Sequence, residues 1–395
     1  MWLKSRCKIA VIGGGVQGLS LAYNLAKLGQ NDVAVFEKGY LGCGASTRNG
    51  GLIRAAWFSP EICNLMREGI RIWEQLSEEL TYNVMFAQRG AFIVAGTQPQ
   101  MEFCKELISL HKSCGLHTKL INSSEAIRLM PSINEQEVAG AIFDPKGGIA
   151  RHDAVVWAYA RAASRLGVSI YPQTEVHAIR LESGRVKSVK TSLGEVEAET
   201  IVDAAGGHSK HVAQMVGVDL PANPVRWQAM VTEPIKPYLN FYVRWPKAGL
   251  YLSQTSRGEV VAGIDSDEAP STDLRCSLTF MKKLAQALVL LFPPLKNLAV
   301  LRQWAGIQSN TEDGCPILGP TSEVEGFVLD CGWYIGFMCA PIAGEMLARS
   351  ILDGEMPKLI EPFKINRFKE GKMLSEELRA EKLTRLARSN HDNLA

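Results

Sequence analysis

The apolar positions of the first forty residues change period in a fixed order. Lys8-Ile9-Ala10-Val11-Ile12 is a short apolar run of the kind that forms a strand buried on both faces. From Gly18 to Lys27 the apolar residues recur at helical spacing, and Gly29 suits the C-terminal cap. Asn31-Asp32-Val33-Ala34-Val35-Phe36 is again a strand, closed by Glu37. Farther on, the same alternation predicts an amphipathic helix over 61–80, a strand over 88–95, and helices over 99–115 and 123–130. A helix is predicted from Asp153, as N-cap, to Leu166, with Gly167 after it. Thr200 to Asp203 is another buried strand, running into Ala204-Ala205-Gly206-Gly207 and a helix. Residues 224–302 alternate strand-like runs with one helix near 277–291. A last strand covers Gly326 to Cys331, and a last helix is predicted from Pro341 to Leu352. From Ser375 the sequence turns charged and polar.

The turn between the first strand and helix, Gly13-Gly14-Gly15-Val16-Gln17-Gly18, gives these elements a purpose. Gly13 permits the tight turn, Gly15 lets the backbone approach a pyrophosphate, and Gly18 lets helix and strand pack closely. The helix N-terminus offers unpaired N–H donors and a favourable dipole to an anion. Glu37 is placed to accept from the adenosine ribose hydroxyls, which disfavours NADP but leaves NAD and FAD open. The glycine-rich loop 42–51, which holds Gly42, Gly44, Gly50 and Gly51, suggests backbone lying against that ligand.

Composition narrows the class. A chain of 395 residues with 46% hydrophobic and 21% charged residues is long enough for two globular domains. The net charge of +2 excludes a case for nucleic acid, and no apolar run reaches the length of a membrane span. The first strand begins almost at once, leaving no space for a signal peptide. Nine cysteines without a Cys-x-x-Cys pair read as reduced thiols of a cytoplasmic protein, and give no metal site.

Three distant segments share one grammar, a strand ending in glycines before a helix: Gly13 to Gly18, Ala205 to Ser209, and Gly332 to Gly344. Such an intertwined chain suits an extended FAD better than NAD. With Glu37-Lys38-Gly39, Arg48-Asn49, Leu52-Ile53-Arg54, Gly148 to Asp153, Leu301 to Gly306 and Gly336-Phe337-Met338, the sequence resembles the FAD-dependent amine and amino-acid oxidoreductases of the D-amino acid oxidase superfamily. Within it, the match is closest to the β subunits of heterotetrameric sarcosine oxidase, and next to those of archaeal proline dehydrogenases.

The resemblance implies an α/β (α+β) fold, in which a Rossmann-like FAD-binding domain is intertwined with a mixed-β-sheet substrate domain. The expected division is 1–85, 145–222 and 300–373 for FAD, 86–144 and 223–299 for substrate, and 374–395 as a polar tail. The cofactor-binding set it implies begins with Gly13, Gly15, Gly18, Glu37, Lys38, Ser46, Arg48, Asn49, Gly50 and Gly51. Val176, Gly206, Gly336, Phe337 and Met338 complete it, with FAD held non-covalently. Arg54 is implied as the partner of a substrate carboxylate, with the loop-bonding arginine as its bland alternative. Met338 stands where sarcosine oxidases carry a second cation, a lysine, which puts sarcosine itself in doubt. Tyr251, Trp304 and Tyr334 are expected as cavity walls.

His152, in Arg151-His152-Asp153, matches the histidine that holds FMN covalently in sarcosine oxidase β subunits. Its alternative is a helix-start histidine with no cofactor. The implied activity is oxidation of the C–N bond of a small secondary amino acid (sarcosine, proline or hydroxyproline, or an N-alkyl amino acid) to an imine, with α-like partner subunits. Two alternatives stay open: a stand-alone oxidase of glycine or a D-amino acid, and a flavoprotein subunit that turns nothing over.

Overall fold

A computed structural model describes residues 2–239, 241–265 and 269–387. Among these residues the strands form two eight-stranded sheets and one two-stranded ribbon. The first sheet runs Ile317–Pro320, Phe327–Cys331, Gly194–Asp203, Arg6–Ile12, Val33–Phe36, Ser169–Tyr171, with a hairpin of Val176–Glu182 and Arg185–Thr191 beside Gly194–Asp203. Five neighbours in it pair in parallel, so the carboxyl ends of Arg6–Ile12, Val33–Phe36, Ser169–Tyr171, Gly194–Asp203 and Phe327–Cys331 open on one edge. That edge is where an open α/β sheet binds its ligand.

The helix Val16–Lys27 covers this sheet, with every residue except Lys27 buried. A Cβ at Gly18 would meet the Gly13 carbonyl oxygen at 2.2 Å, so only glycine allows that approach. The last long helix, Gly336–Asp353, crosses it as closely. A Cβ at Gly344 would lie 2.4 Å from Ser20 Oγ, and Ser20 Oγ donates to Ala340 O at 2.8 Å. This helix was expected to begin at Pro341. It begins at Gly336 and carries the proline inside, because its first turns are buried and the absent N–H removes only one ladder bond. The helix His152–Arg165 is capped by Arg151, which makes no side-chain capping bond. Asp153, expected as N-cap, sits in the first turn and takes Arg151 Nε at 2.7 Å.

The second sheet is mostly antiparallel, in the order Val300–Thr311, Ala222–Pro234, Glu259–Ile264, Leu250–Gln254, Tyr242–Trp245, Ala91–Ala95, Gly140–Asp144, Lys119–Asn122. Val300–Thr311 ladders with Ala222–Pro234 along nearly its whole length. The ribbon of Leu52–Ile53 and Gly148–Ile149 carries the chain from one sheet to the other. After Ser375 the polar sequence forms a helix, Glu376–Arg385, which buries Glu376 and Leu383. No helix among the described residues is long and apolar enough to cross a membrane.

One buried ion pair fastens the segments around this edge. Arg367 donates from Nε to Asp313 Oδ2 at 2.7 Å and from Nη2 to Oδ1 at 2.9 Å, both side chains nearly solvent-free. Burial pushes the Asp313 carboxyl up, but the Arg367 bonds outweigh it and hold the group below its usual range. Arg367→Met strands the carboxylate and is expected to cost ~3–5 kcal/mol in urea unfolding at neutral pH. The folded-state value is depressed, so this contribution is present above the unfolded carboxylate's range and lost as pH falls through the native one. A loss below about 1 kcal/mol would show that the pair is solvated.

Candidate active site

The carboxyl edge of the first sheet and one face of the second enclose a cavity of about 550 Å³. It runs from Glu37, Lys38 and Val176 at one end to Arg54, Trp227 and Tyr334 at the other. The fingerprint turn forms one wall. Gly13 has φ +120°, and a Cβ there would strike the Ala204 carbonyl at 2.3 Å. The helix N-cap is Gly15, with no side-chain capping bond and no acid in the first turn, so its positive end faces the cavity. Ser46 Oγ accepts from Val16 N at 2.9 Å and fixes the glycine loop against that turn.

Glu37 is buried, accepting from Gly14 N at 2.9 Å and from Gly39 N at 2.8 Å. Oε1 also accepts from Cys43 Sγ at 3.3 Å, so it is Oε2 that keeps a further lone-pair direction for a ribose hydroxyl. Lys38 Nζ lies 2.8 Å from His208 Nε2, and burial followed by the Lys38 charge holds that imidazole below its usual range. Arg48 donates to Cys43 O at 2.9 Å and Ala305 O at 2.8 Å, tying the loop to the second sheet. Asn49 closes the turn by accepting from Gly51 N at 2.7 Å. Gly50, Gly206, Gly336, Phe337 and Met338 also line the cavity.

This arrangement fits FAD. The glycine cradle leaves no Cβ where a pyrophosphate must lie, and the N-cap Gly15 puts no side chain of its own over the helix end. Two acceptors that line the cavity, Gln17 Oε1 and Asp330 Oδ2, are buried without a partner. Asp203 ends its strand and Asp330 lies one residue before the end of the neighbouring one, and burial pushes each carboxyl up to about 7. Sequence reading passed over Asp330, because an aspartate near a strand end carries no motif.

At the other end Arg54 is 2% exposed, and its Nε and Nη1 have no hydrogen-bond partner. Its guanidinium lies 3.8 Å from the centre of the Trp57 ring and 5.8 Å from that of Tyr242. Tyr334 continues the wall between Trp57 and Trp227, with ring centres 6.4 Å and 5.5 Å away. Arg244, also on the wall, is already committed to Asp265 and to Gly249 O at 2.6 Å. Tyr251 lines the cavity; burial raises its hydroxyl and that of Tyr334. Trp57, Trp227 and Tyr242 were missed, their only signal being aromatic residues near Arg54 or on predicted strands.

Four expected residues lie off the cavity lining. Gly18 serves the helix–strand contact, and Gly51, at φ +67°, abuts Ala150 O. Trp304 donates from Nε1 to Arg48 O at 2.9 Å, so it backs the loop instead of facing ligand. His152 starts its helix with a buried Nδ1 that has no hydrogen-bond partner. Burial chiefly, with Arg151 adding, lowers its pKa against the pull of Asp153, so the ring is neutral. Among the described residues no group of three or more His, Cys, Asp or Glu is placed to hold a metal ion.

The family model described as FAD dependent oxidoreductase matches residues 8–350. The sarcosine oxidase subunit beta of Rhodobacter capsulatus is 37% identical over 383 residues, covering 95% of this chain and 92% of its own. That of an Arthrobacter species is 34% identical over 380 residues, covering 94% of each. Among solved structures, L-proline dehydrogenase from P. horikoshii superposes with a TM-score of 0.90 at 32% identity, over 93% of this chain and 99% of that one. Glycine oxidase from Geobacillus kaustophilus superposes with a TM-score of 0.85 at 27% identity, over 92% and 99%.

Gly15→Val tests the cradle. Its Cβ would lie 2.9 Å from Ser46 Oγ, and its methyls would fill the space the pyrophosphate needs. The variant is expected to purify colourless, with less than about a tenth of the wild-type flavin per chain. A yellow variant of normal FAD content would remove the fingerprint assignment.

Proposed function

This chain belongs to the FAD dependent oxidoreductase family, and we propose that it oxidises the C–N bond of a small secondary amino acid to an imine. Sarcosine, proline or hydroxyproline, and N-alkyl amino acids are the candidate substrates. The carrying observation is Arg54, a buried guanidinium with two unpaired nitrogens on the cavity wall. A substrate carboxylate matches that fork and relieves the unpaired charge. FAD, when bound, supplies the acceptor for the hydride leaving the carbon next to nitrogen.

The chain's own side chains hold and orient. Arg54 takes the carboxylate, Trp57 supports the guanidinium face, and Tyr334 and Trp227 confine the carbon skeleton and exclude water. Met338, beside them at the helix start, adds no second cation. No side chain is assigned as a general base. The likeness to subunits named beta supports a working complex with other chains, and nine free thiols suit the cytoplasm. The likeness to glycine oxidase supports a second reading, a stand-alone amino-acid oxidase. Full turnover by the purified chain alone would decide for it.

Losing a charged hydrogen-bonding partner costs roughly 1.5–3 kcal/mol, so Arg54→Ala is expected to raise the substrate KM roughly ten- to hundredfold. Arg54→Lys is expected to raise it less. Amines without a carboxylate being oxidised as well as amino acids by the unaltered enzyme would sink this role.

The finer part of the proposal is a second flavin, FMN, joined covalently to His152. The neutral imidazole with an unpartnered Nδ1 supports it, since attachment needs a neutral ring nitrogen. Arg151 is held by Asp153 and would have to share its guanidinium with the phosphate. Acid denaturation and digestion of the complex should yield a flavin-bearing peptide containing His152. Complete flavin release, with full FMN content in His152→Ala, would show the histidine to be structural.

A further inference from the structure

The segment that carries Arg54 is held from outside by carboxylates. Asp144 Oδ2 accepts from Ala55 N at 2.8 Å and Ala56 N at 3.1 Å. His111 Nε2 donates to Trp57 O at 2.8 Å. The last fixing point comes from the other end of the chain. Glu376, 3% exposed in the helix Glu376–Arg385, accepts from Ser59 N at 2.7 Å and from Phe58 N at 3.2 Å. Ser59 is the N-cap of the long helix Pro60–Glu79, so the carboxyl also sits at a positive helix end.

We propose that Glu376 is a positioning residue of the substrate site, pinning Phe58 and Ser59 so that Arg54 and Trp57 face the cavity in register. This rests on Arg54 being the carboxylate anchor. Without Glu376 two buried N–H groups lose their acceptor, and the turn must open toward another partner or water. Arg54 lies over Trp57 and within 5.6 Å of the Phe58 ring centre, so the turn cannot shift without carrying the guanidinium with it. Burial pushes the Glu376 carboxyl up to about 7, against the Ser59 and Phe58 bonds and the Arg54 charge, which favour the anion. Both protonation forms present an acceptor oxygen. An amide at this position preserves the pin, whereas an alanine removes it.

The probe is acetate, titrated into the flavin-loaded complex and followed by flavin absorbance. Glu376→Ala is expected to weaken acetate at least about tenfold with FAD content unchanged, and Glu376→Gln to stay within about threefold of the unaltered protein. Substrate kinetics should show the same split, with KM raised and kcat nearly held. Should the alanine variant fail to fold, Glu376→Asp withdraws the carboxyl by one methylene and is expected to weaken acetate about threefold or more. Acetate affinity unchanged in Glu376→Ala, or unchanged in Glu376→Asp, overturns the proposal. Arg54→Lys is run alongside: acetate binding that ignores Arg54 defeats the anchor itself, whereas an Arg54 response without a Glu376 response defeats only the pin.

Discussion

A guanidinium taken out of water with two nitrogens unpaired is the condition around which the substrate end is built. Such a charge is tolerated only where rings, dipoles and an incoming anion share it. Arg54 has the Trp57 face at 3.8 Å and no carboxylate bonded to it, while nearby Arg244 is neutralised by Asp265. The contrast separates two arginines that sequence alone treats alike. One holds strands together, and the other is left with bonding capacity facing the cavity.

The opposite end answers a different demand, for space. Gly13, Gly15 and Gly18 remove side chains where backbone, cofactor and helix converge, and Gly344 does the same where the last helix meets the first. Both helices begin at the cavity, at Val16 and Gly336, so the positive end of each faces the cavity. Between the two ends Met338 and the aromatic wall supply an apolar channel, suited to a flavin ring and a small carbon skeleton.

The cofactor end was legible in the sequence because its chemistry is local: the turn, its helix and Glu37 lie within thirty residues and obey fixed spacing. Arg54 was legible through resemblance, not through pattern. Trp227, Asp330 and Glu376 were not, since their roles depend on contacts across the chain. Glu376 meets Ser59 across 317 residues. The polar stretch 375–387 hides the buried carboxyl of Glu376 beside the half-buried Glu377 and the exposed Glu381. Trp304 shares a strand face with Gly306 and Gln308, which line the cavity, yet its ring sits behind the Arg48 loop, a contact across 256 residues that no local pattern shows.

The order of the first sheet also bears on how the molecule is made. Arg6–Ile12 pairs with Gly194–Asp203, which in turn pairs with Phe327–Cys331, so neighbours in the sheet emerge from synthesis far apart in time. Until the third of these strands is available, the edge of Gly194–Asp203 has unpaired amides and carbonyls beside apolar side chains, a template for association with other chains. Contacts of such long sequence separation also close slowly. A chain of this topology completes its cofactor cleft only once Phe327–Cys331 has been made, and its vulnerable period is the interval between the second and third of these strands.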